Sequence, residues 1–113
     1  MKRELHDGTH THHRDSITVL DAADLLVAHA EANVLERSTV KRYRELADIH
    51  LKPRIGAKKL SELTKPMVEE LRLELLAKLS RPMAGKVLAH LSMIINRAMD
   101  LGKVGKNVAR SVR

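Results

Sequence analysis

A long helical repeat of apolar residues near the end of the chain constrains the fold most strongly. Between Met83 and Leu101, apolar side chains recur at alternating spacings of three and four residues, which is the period of a buried helix face. Ser80 before a basic residue and a proline is a helix start signal, and Gly102 is a natural C-terminal stop. We therefore predict a long helix between these two residues. Its apolar positions are Met83, Val87, Leu91, Ile94, Ala98 and Leu101.

Three shorter helices are predicted before this one. Apolar residues at helical spacing cover residues 19–33, 39–51 and 65–78. The segment 54–63 is too short and irregular for another long element, so we predict a connector there. No stretch of the sequence alternates apolar and polar residues as a strand does. The expected fold class is therefore all-α, a four-helix bundle-like domain.

The predicted helix ends carry residues that cap or stop helices. Thr18, with Asp21 three residues later, resembles a capping box, and Ser38 and Thr64 can cap the second and third helices. Pro53 is expected to stop the second helix, because proline lacks an amide hydrogen and restrains the residue before it.

The core of this bundle must be aliphatic. The 113 residues include no Phe, Trp or Cys, and Tyr43 is the single aromatic residue. Tyr43 falls on the apolar stripe of the second helix, which favours packing over a nucleophilic role. Lack of cysteine excludes disulfides, thiolate zinc sites and cysteine nucleophiles, and it is compatible with a reducing cytoplasm.

The length predicts one domain with flexible ends. Residues 1–15 are polar and without an apolar period, so we predict a flexible leader; residues 16–103 form the helical domain. Residues 104–113 are basic and poor in apolar side chains, and we predict a flexible tail that links to a missing domain. No apolar run is long enough for a membrane span, so a soluble, unexported, cytoplasmic protein without a membrane partner is expected.

No catalytic or metal site is predicted. The leader histidines have suitable ring nitrogens for a divalent metal, but no apolar shell surrounds them and no partners orient their outer nitrogens. Gly-rich phosphate loops, Ser-His-Asp sets and spaced carboxylate pairs do not occur. We therefore expect no cofactor, no metal and no enzymatic activity for this chain. The histidines concerned are His10, His12 and His13.

Positive charge is concentrated in two parts of the sequence. The net charge is +7; residues 37–59 hold eight bases and two acids, and residues 80–113 hold seven bases and one acid. Residues 60–79 hold three bases and four acids, so the third helix is slightly acidic. Clustered Lys and Arg suit the phosphates of a nucleic acid. Duplex DNA is favoured over single strands, because single strands are usually held by stacking on several aromatic rings.

The candidate DNA-binding residues lie on the second and fourth helices. On the second helix they are off the apolar stripe or at its N-terminus, and on the fourth they lie opposite the stripe. Such a helix face fits a major groove about 12 Å wide. The second-helix residues are Ser38, Thr39, Lys41, Arg42 and Arg44, and the fourth-helix residues are Lys86, His90 and Arg97.

In order and spacing, these segments resemble the N-terminal core-binding domain of phage-type integrases, the tyrosine recombinases, also described as SAM-like. The resemblance covers about residues 16–110. The matching segments are Ile17-Thr18-Val19, Leu35 to Arg44, Ile55-Gly56 with Leu60 to Thr64, Leu79 to Leu88, Leu91 to Ala98 and Gly102 to Asn107.

The resemblance implies a four-helix domain on one side of duplex DNA, with a C-terminal catalytic domain closing on the other side as a clamp. It implies that Ser38, Thr39, Lys41 and Arg42 contact phosphates. It also places Arg81 beside Lys86, His90 and Arg97 at the groove or its rims. The implied partners are double-stranded DNA, a catalytic domain of the same chain and other recombinase protomers, in a bacterial or phage-encoded protein.

Two departures from the family pattern qualify this expectation. Asn107-Val108 stands where family members commonly have Asn-Pro. The catalytic His-x-x-Arg signature is absent, so this chain is expected to be a non-catalytic fragment of its parent recombinase.

Two other functions fit the same charge pattern. One is a small helical interaction module whose basic surface binds an acidic protein. The other is a free-standing repressor-like DNA binder, which needs a dimer interface, and the sequence has no spare apolar stripe to form one. Steep salt dependence of duplex binding separates both DNA-binding functions from the interaction module.

Overall fold

A computed structural model describes residues 16–112 of the chain. It shows that this part of the chain folds into helices. Within this range there is no strand, only an isolated β-bridge between Thr18 and Lys59. The predicted all-α, four-helix bundle-like class is confirmed. The predicted leader, with its histidine cluster, lies outside the described residues.

The α-helices are α1 (Val19–Ala32), α2 (Arg37–Glu45), α3 (Lys52–Ile55), α4 (Lys65–Lys78) and α5 (Arg81–Asp100), and Leu60–Glu62 form one 3₁₀ turn.

The predicted second helix does not stop at Pro53, and that prediction is wrong. A π segment, Leu46–Leu51, joins α2 to α3, and the backbone stays helical at both junctions. Pro53 lies in the first turn of α3. Its ring and missing amide are accommodated at this junction, where the hydrogen-bond register changes from π to α. The segment α2–π–α3 is therefore one rod, and the rods of the bundle are this segment, α1, α4 and α5.

Most of the predicted helix caps are confirmed. The hydroxyls of Thr18, Thr64 and Ser80 each accept a hydrogen bond from the amide three residues later, at 3.1 to 3.3 Å. Ser38 does not cap α2, because that helix already begins at residue 37. In the described part of the chain, the N-cap residue Glu36 makes no side-chain capping hydrogen bond. Ser38 is thus left in the exposed first turn of α2.

The core is aliphatic, as predicted. Helix α5 lies at the centre of the bundle and contacts α1, the π segment and α4. Burial of these apolar side chains supplies most of the stabilisation, at about 1.5–3 kcal/mol for each fully buried aliphatic side chain. The most deeply buried large side chains are Val19, Leu51, Val68, Leu71, Leu75, Val87, Leu91, Ile94 and Ile95.

The predicted connector holds the start of α1. The amide of Val19 donates to the Lys58 carbonyl at 2.9 Å, and the amide of Leu60 donates to the Ile17 carbonyl at 2.9 Å. Helix termini leave their first amides unpaired, and here the connector supplies an acceptor. The connector therefore fixes α1 against the end of the α2–π–α3 rod.

The predicted flexible tail is wrong over residues 104–112. Gly102 ends α5 in the left-handed conformation, with φ of 73°, as its position predicted. The chain then turns back along α5, where Ala109 and Val112 are buried. The Asn107 side-chain amide donates to the Ser92 carbonyl at 3.1 Å and to Asn96 Oδ1 at 2.9 Å. The segment is sparse in apolar residues, but these few contacts attach it to the helix.

None of the helices in residues 16–112 is both long enough and apolar enough to cross a membrane.

Candidate nucleic-acid interface

The predicted site residues on α2 are accessible, but they do not all face one way. Ser38, Lys41 and Arg42 are exposed, and Thr39 is half-buried. Arg44 is also exposed, and its Nη2 lies 2.9 Å from a carboxylate oxygen of Glu31 on α1. Both side chains of this pair are more than half exposed, so the pair contributes little to stability. The Arg44 side chain is therefore directed toward α1 and not toward the predicted DNA-binding surface that α2 shares with α5.

Two basic residues and an exposed methionine share one face of α5. Lys86, Met93 and Arg97 are separated by seven and four residues, which places them in one row along the helix. Lys86 and Met93 are exposed, and Arg97 is half-buried. The Arg97 Nε has no hydrogen-bond partner among residues 16–112. Lys86 is therefore the more accessible of the two cations in this row, since the Arg97 Nε is buried.

The basic faces of α2 and α5 meet at a groove, which we call the basic groove. Arg42 from α2 and Lys86 from α5 both line it, and its volume is about 240 Å³. The sequence predicted both residues for the site, but only the packing of the two helices brings them to one surface. The other lining residues are Glu45, Leu46, Ile49, His50 and Met83.

His90 does not belong to this surface, and its prediction as a DNA-facing residue is wrong. Only 2% of the residue is exposed, and its ring lies 4.9 Å from the Tyr43 ring, centre to centre. Burial lowers the pKa of His90 from 6.5 to about 4, and a hydrogen bond from the ring to the Tyr43 backbone offsets part of this fall. The imidazole is therefore neutral at physiological pH. Its ring lies on the side of α5 that contacts Tyr43 of α2. The helical spacing of the sequence does not separate this position from the exposed positions on the same face of α5.

Arg81 is exposed but lies at a different cavity. It lines a space of about 370 Å³ with Arg72 and Leu76 of α4 and with Gly85. Arg81 and Lys86 are five residues apart, so a helix directs them to different faces. The structure thus does not bring Arg81 to the basic groove.

Five lining residues of the basic groove were not predicted for the site, and two of them change its chemistry. Ile49 lies in the π segment and is 60% exposed, and Glu45 places a carboxylate among the cations. The sequence shows an apolar residue at position 49, but it does not show that this residue is outside the core. Exposure of Ile49 depends on where α5 crosses the rod.

The basic groove combines charged side chains with an apolar surface. No group of three or more His, Cys, Asp or Glu residues that could hold a metal is found between residues 16 and 112. Tyr43 is half-buried and packed against the core, as predicted from its place on the apolar stripe. The groove offers charge and an apolar surface, which are means of binding.

Comparison with known proteins relates the chain to one solved structure. No protein-family model matches the chain, and no curated protein matches it. The chain is similar to a solution NMR structure of a fragment, residues 61–160, of a Clostridium leptum protein, with a TM-score of 0.74 and 24% sequence identity. The match covers 85% of this chain and 86% of that one. The chain therefore shares its helical fold with this fragment.

Proposed function

We propose that this domain binds duplex DNA through the basic groove and the exposed faces of α2 and α5. In this proposal it is the core-binding domain of a tyrosine recombinase of the phage-integrase type. It holds one side of the recombination site, and a catalytic domain of the same protein, together with other protomers, completes the assembly. The domain itself carries out no chemistry.

The observation that supports this proposal best is the convergence of Arg42 and Lys86 on one groove. These residues come from two sequence regions that each carry a net charge of +6. Lys41 and Ser38 are exposed on the same helix as Arg42, and both side chains can contact phosphate oxygens. Phosphate contacts require clustered cations, and here the clusters lie on neighbouring helices.

The placement of acidic residues also favours this surface over the others. Helix α4 carries exposed Glu69, Glu70 and Glu74, which repel a polyanion. The DNA is therefore expected on the α2 and α5 side of the bundle, with α4 turned away from it.

A charge-reversal pair tests the proposal. We expect Lys41→Glu with Arg42→Glu to weaken duplex binding strongly. The negative slope of log K against log salt should become shallower by about 1.8, since each lost phosphate contact removes about 0.9. The matched control is Lys65→Glu with Lys78→Glu, which changes the net charge equally at exposed positions of α4. Fluorescence anisotropy of a labelled duplex over a series of salt concentrations measures both quantities.

Two results would contradict the proposal. Equal losses in both double variants would mean that only net charge matters. Weak, salt-insensitive binding by the unmodified domain would instead favour the protein-interaction module. Amide chemical shifts on adding the duplex provide a map, and we expect them to change around residues 37–44 and 81–97.

A further inference from the structure

An exposed isoleucine lies within the basic groove. Ile49 is 60% exposed and shares the groove with Arg42 and Lys86. Leu46 and Met83 line the same groove and extend its apolar surface. The groove therefore offers a ligand two cations and an apolar surface side by side.

The π segment sets this position of Ile49. Leu46 and Leu51 are both buried and lie five residues apart, which is the spacing of a π turn. These two side chains anchor the segment in the core, and Ile49 between them remains accessible. π turns often occur at functional sites, and this one lies beside the cations that the proposed function uses.

Glu45 limits what can occupy the groove. Its carboxylate lines the groove together with Arg42 and Lys86, and it makes the space next to the carboxylate unfavourable for a phosphate. The anionic backbone is then favoured at the cations, and a base edge is favoured beside Ile49. In the major groove of duplex DNA, the apolar group on a base edge is the C5-methyl group of thymine.

We propose that Ile49 contacts thymine C5-methyl groups in the major groove, while Arg42 and Lys86 contact phosphates of the backbone. This inference rests on the proposed function and assigns sequence preference to a residue outside the basic set. Phosphate contacts hold the domain on any duplex, and the contact with Ile49 favours A·T pairs whose methyl group lies against it.

The test removes only the methyl groups. The first probe is a duplex of alternating adenine and thymine, which offers C5-methyl groups at every position where the domain can bind. The second probe is the same duplex with deoxyuridine in place of thymine, which has no such methyl group at any position. We expect the unmodified domain to bind the deoxyuridine duplex about four-fold more weakly for each methyl contacted. Ile49→Ala should bind both duplexes equally, with an unchanged salt slope. Leu73→Ala, which truncates an exposed apolar residue on α4, is the matched control and should keep the preference for thymine.

Each other outcome overturns a defined part of the argument. Equal binding of both duplexes by the unmodified domain, with steep salt dependence, overturns the role of Ile49 and leaves the proposed function in place. A thymine preference that persists in Ile49→Ala overturns the assignment to this residue. If no duplex binds in a salt-dependent way, the proposed function fails as well. Thermal unfolding checks that Ile49→Ala is folded, and Ile49→Gln, which keeps a longer side chain, serves as the second variant.

Discussion

Acid should destabilise this domain through His90. The pKa of this histidine falls from 6.5 to about 4 on folding, because the buried ring is poorly solvated when charged. Below pH 6.5 the unfolded chain takes up a proton that the folded chain does not bind until the pH approaches 4. The contribution of neutral His90 is therefore complete above pH 6.5 and is lost as the pH falls toward 4.

The size of this effect follows from the pKa difference. One pKa unit corresponds to about 1.36 kcal/mol, so the free energy of unfolding should fall by about 3 kcal/mol across this range. The total free energy of unfolding of a domain of this size is about 5–15 kcal/mol. Protonation of this one buried imidazole is thus expected to remove a large part of the free energy of unfolding.

Urea unfolding followed by far-UV circular dichroism, between about pH 7 and about pH 4, measures this loss. The variant His90→Phe keeps a ring against Tyr43 but cannot titrate. We expect the unfolding free energy of the unmodified domain to fall by about 3 kcal/mol more than that of the variant. His29→Gln, at an exposed position of α1, is the control and should follow the unmodified domain. Parallel curves for the unmodified domain and His90→Phe would contradict this prediction, because His90 would then titrate alike in both states.

Two further predictions concern the ends of the bundle. Asn107→Ala should lower the free energy of unfolding by about 1–3 kcal/mol, because Ser92 and Asn96 lose their hydrogen-bond donor. It should also speed hydrogen exchange at the Ala109 amide, which now donates to Asn107 Oδ1; unchanged exchange would contradict the attachment of the tail. Val34→Asn should stabilise the domain by about 1 kcal/mol, since this β-branched residue has φ of 55° and is 87% exposed. Thermal unfolding measures that gain, and a lower midpoint would contradict strain at this position.

The candidate site was only partly predictable. Ser38, Lys41, Arg42 and Lys86 are exposed as their positions on the helices predicted. His90 shares its helix spacing with these residues, and only the packing of the α2–π–α3 rod against α5 buries it against Tyr43. The exposure of Ile49 depends on the same crossing.

Local signals determined the helical part of this protein. The all-α class, the aliphatic core and the caps at Thr18, Thr64 and Ser80 could be predicted, because a helix period and a cap depend on residues a few positions apart. Tertiary packing explains why the chain continues helically past Pro53 and why residues 104–112 return to α5. Packing also brings Arg42 and Lys86 to one groove. These features depend on contacts between residues that are distant along the chain, and no local pattern specifies which helices meet or where they cross.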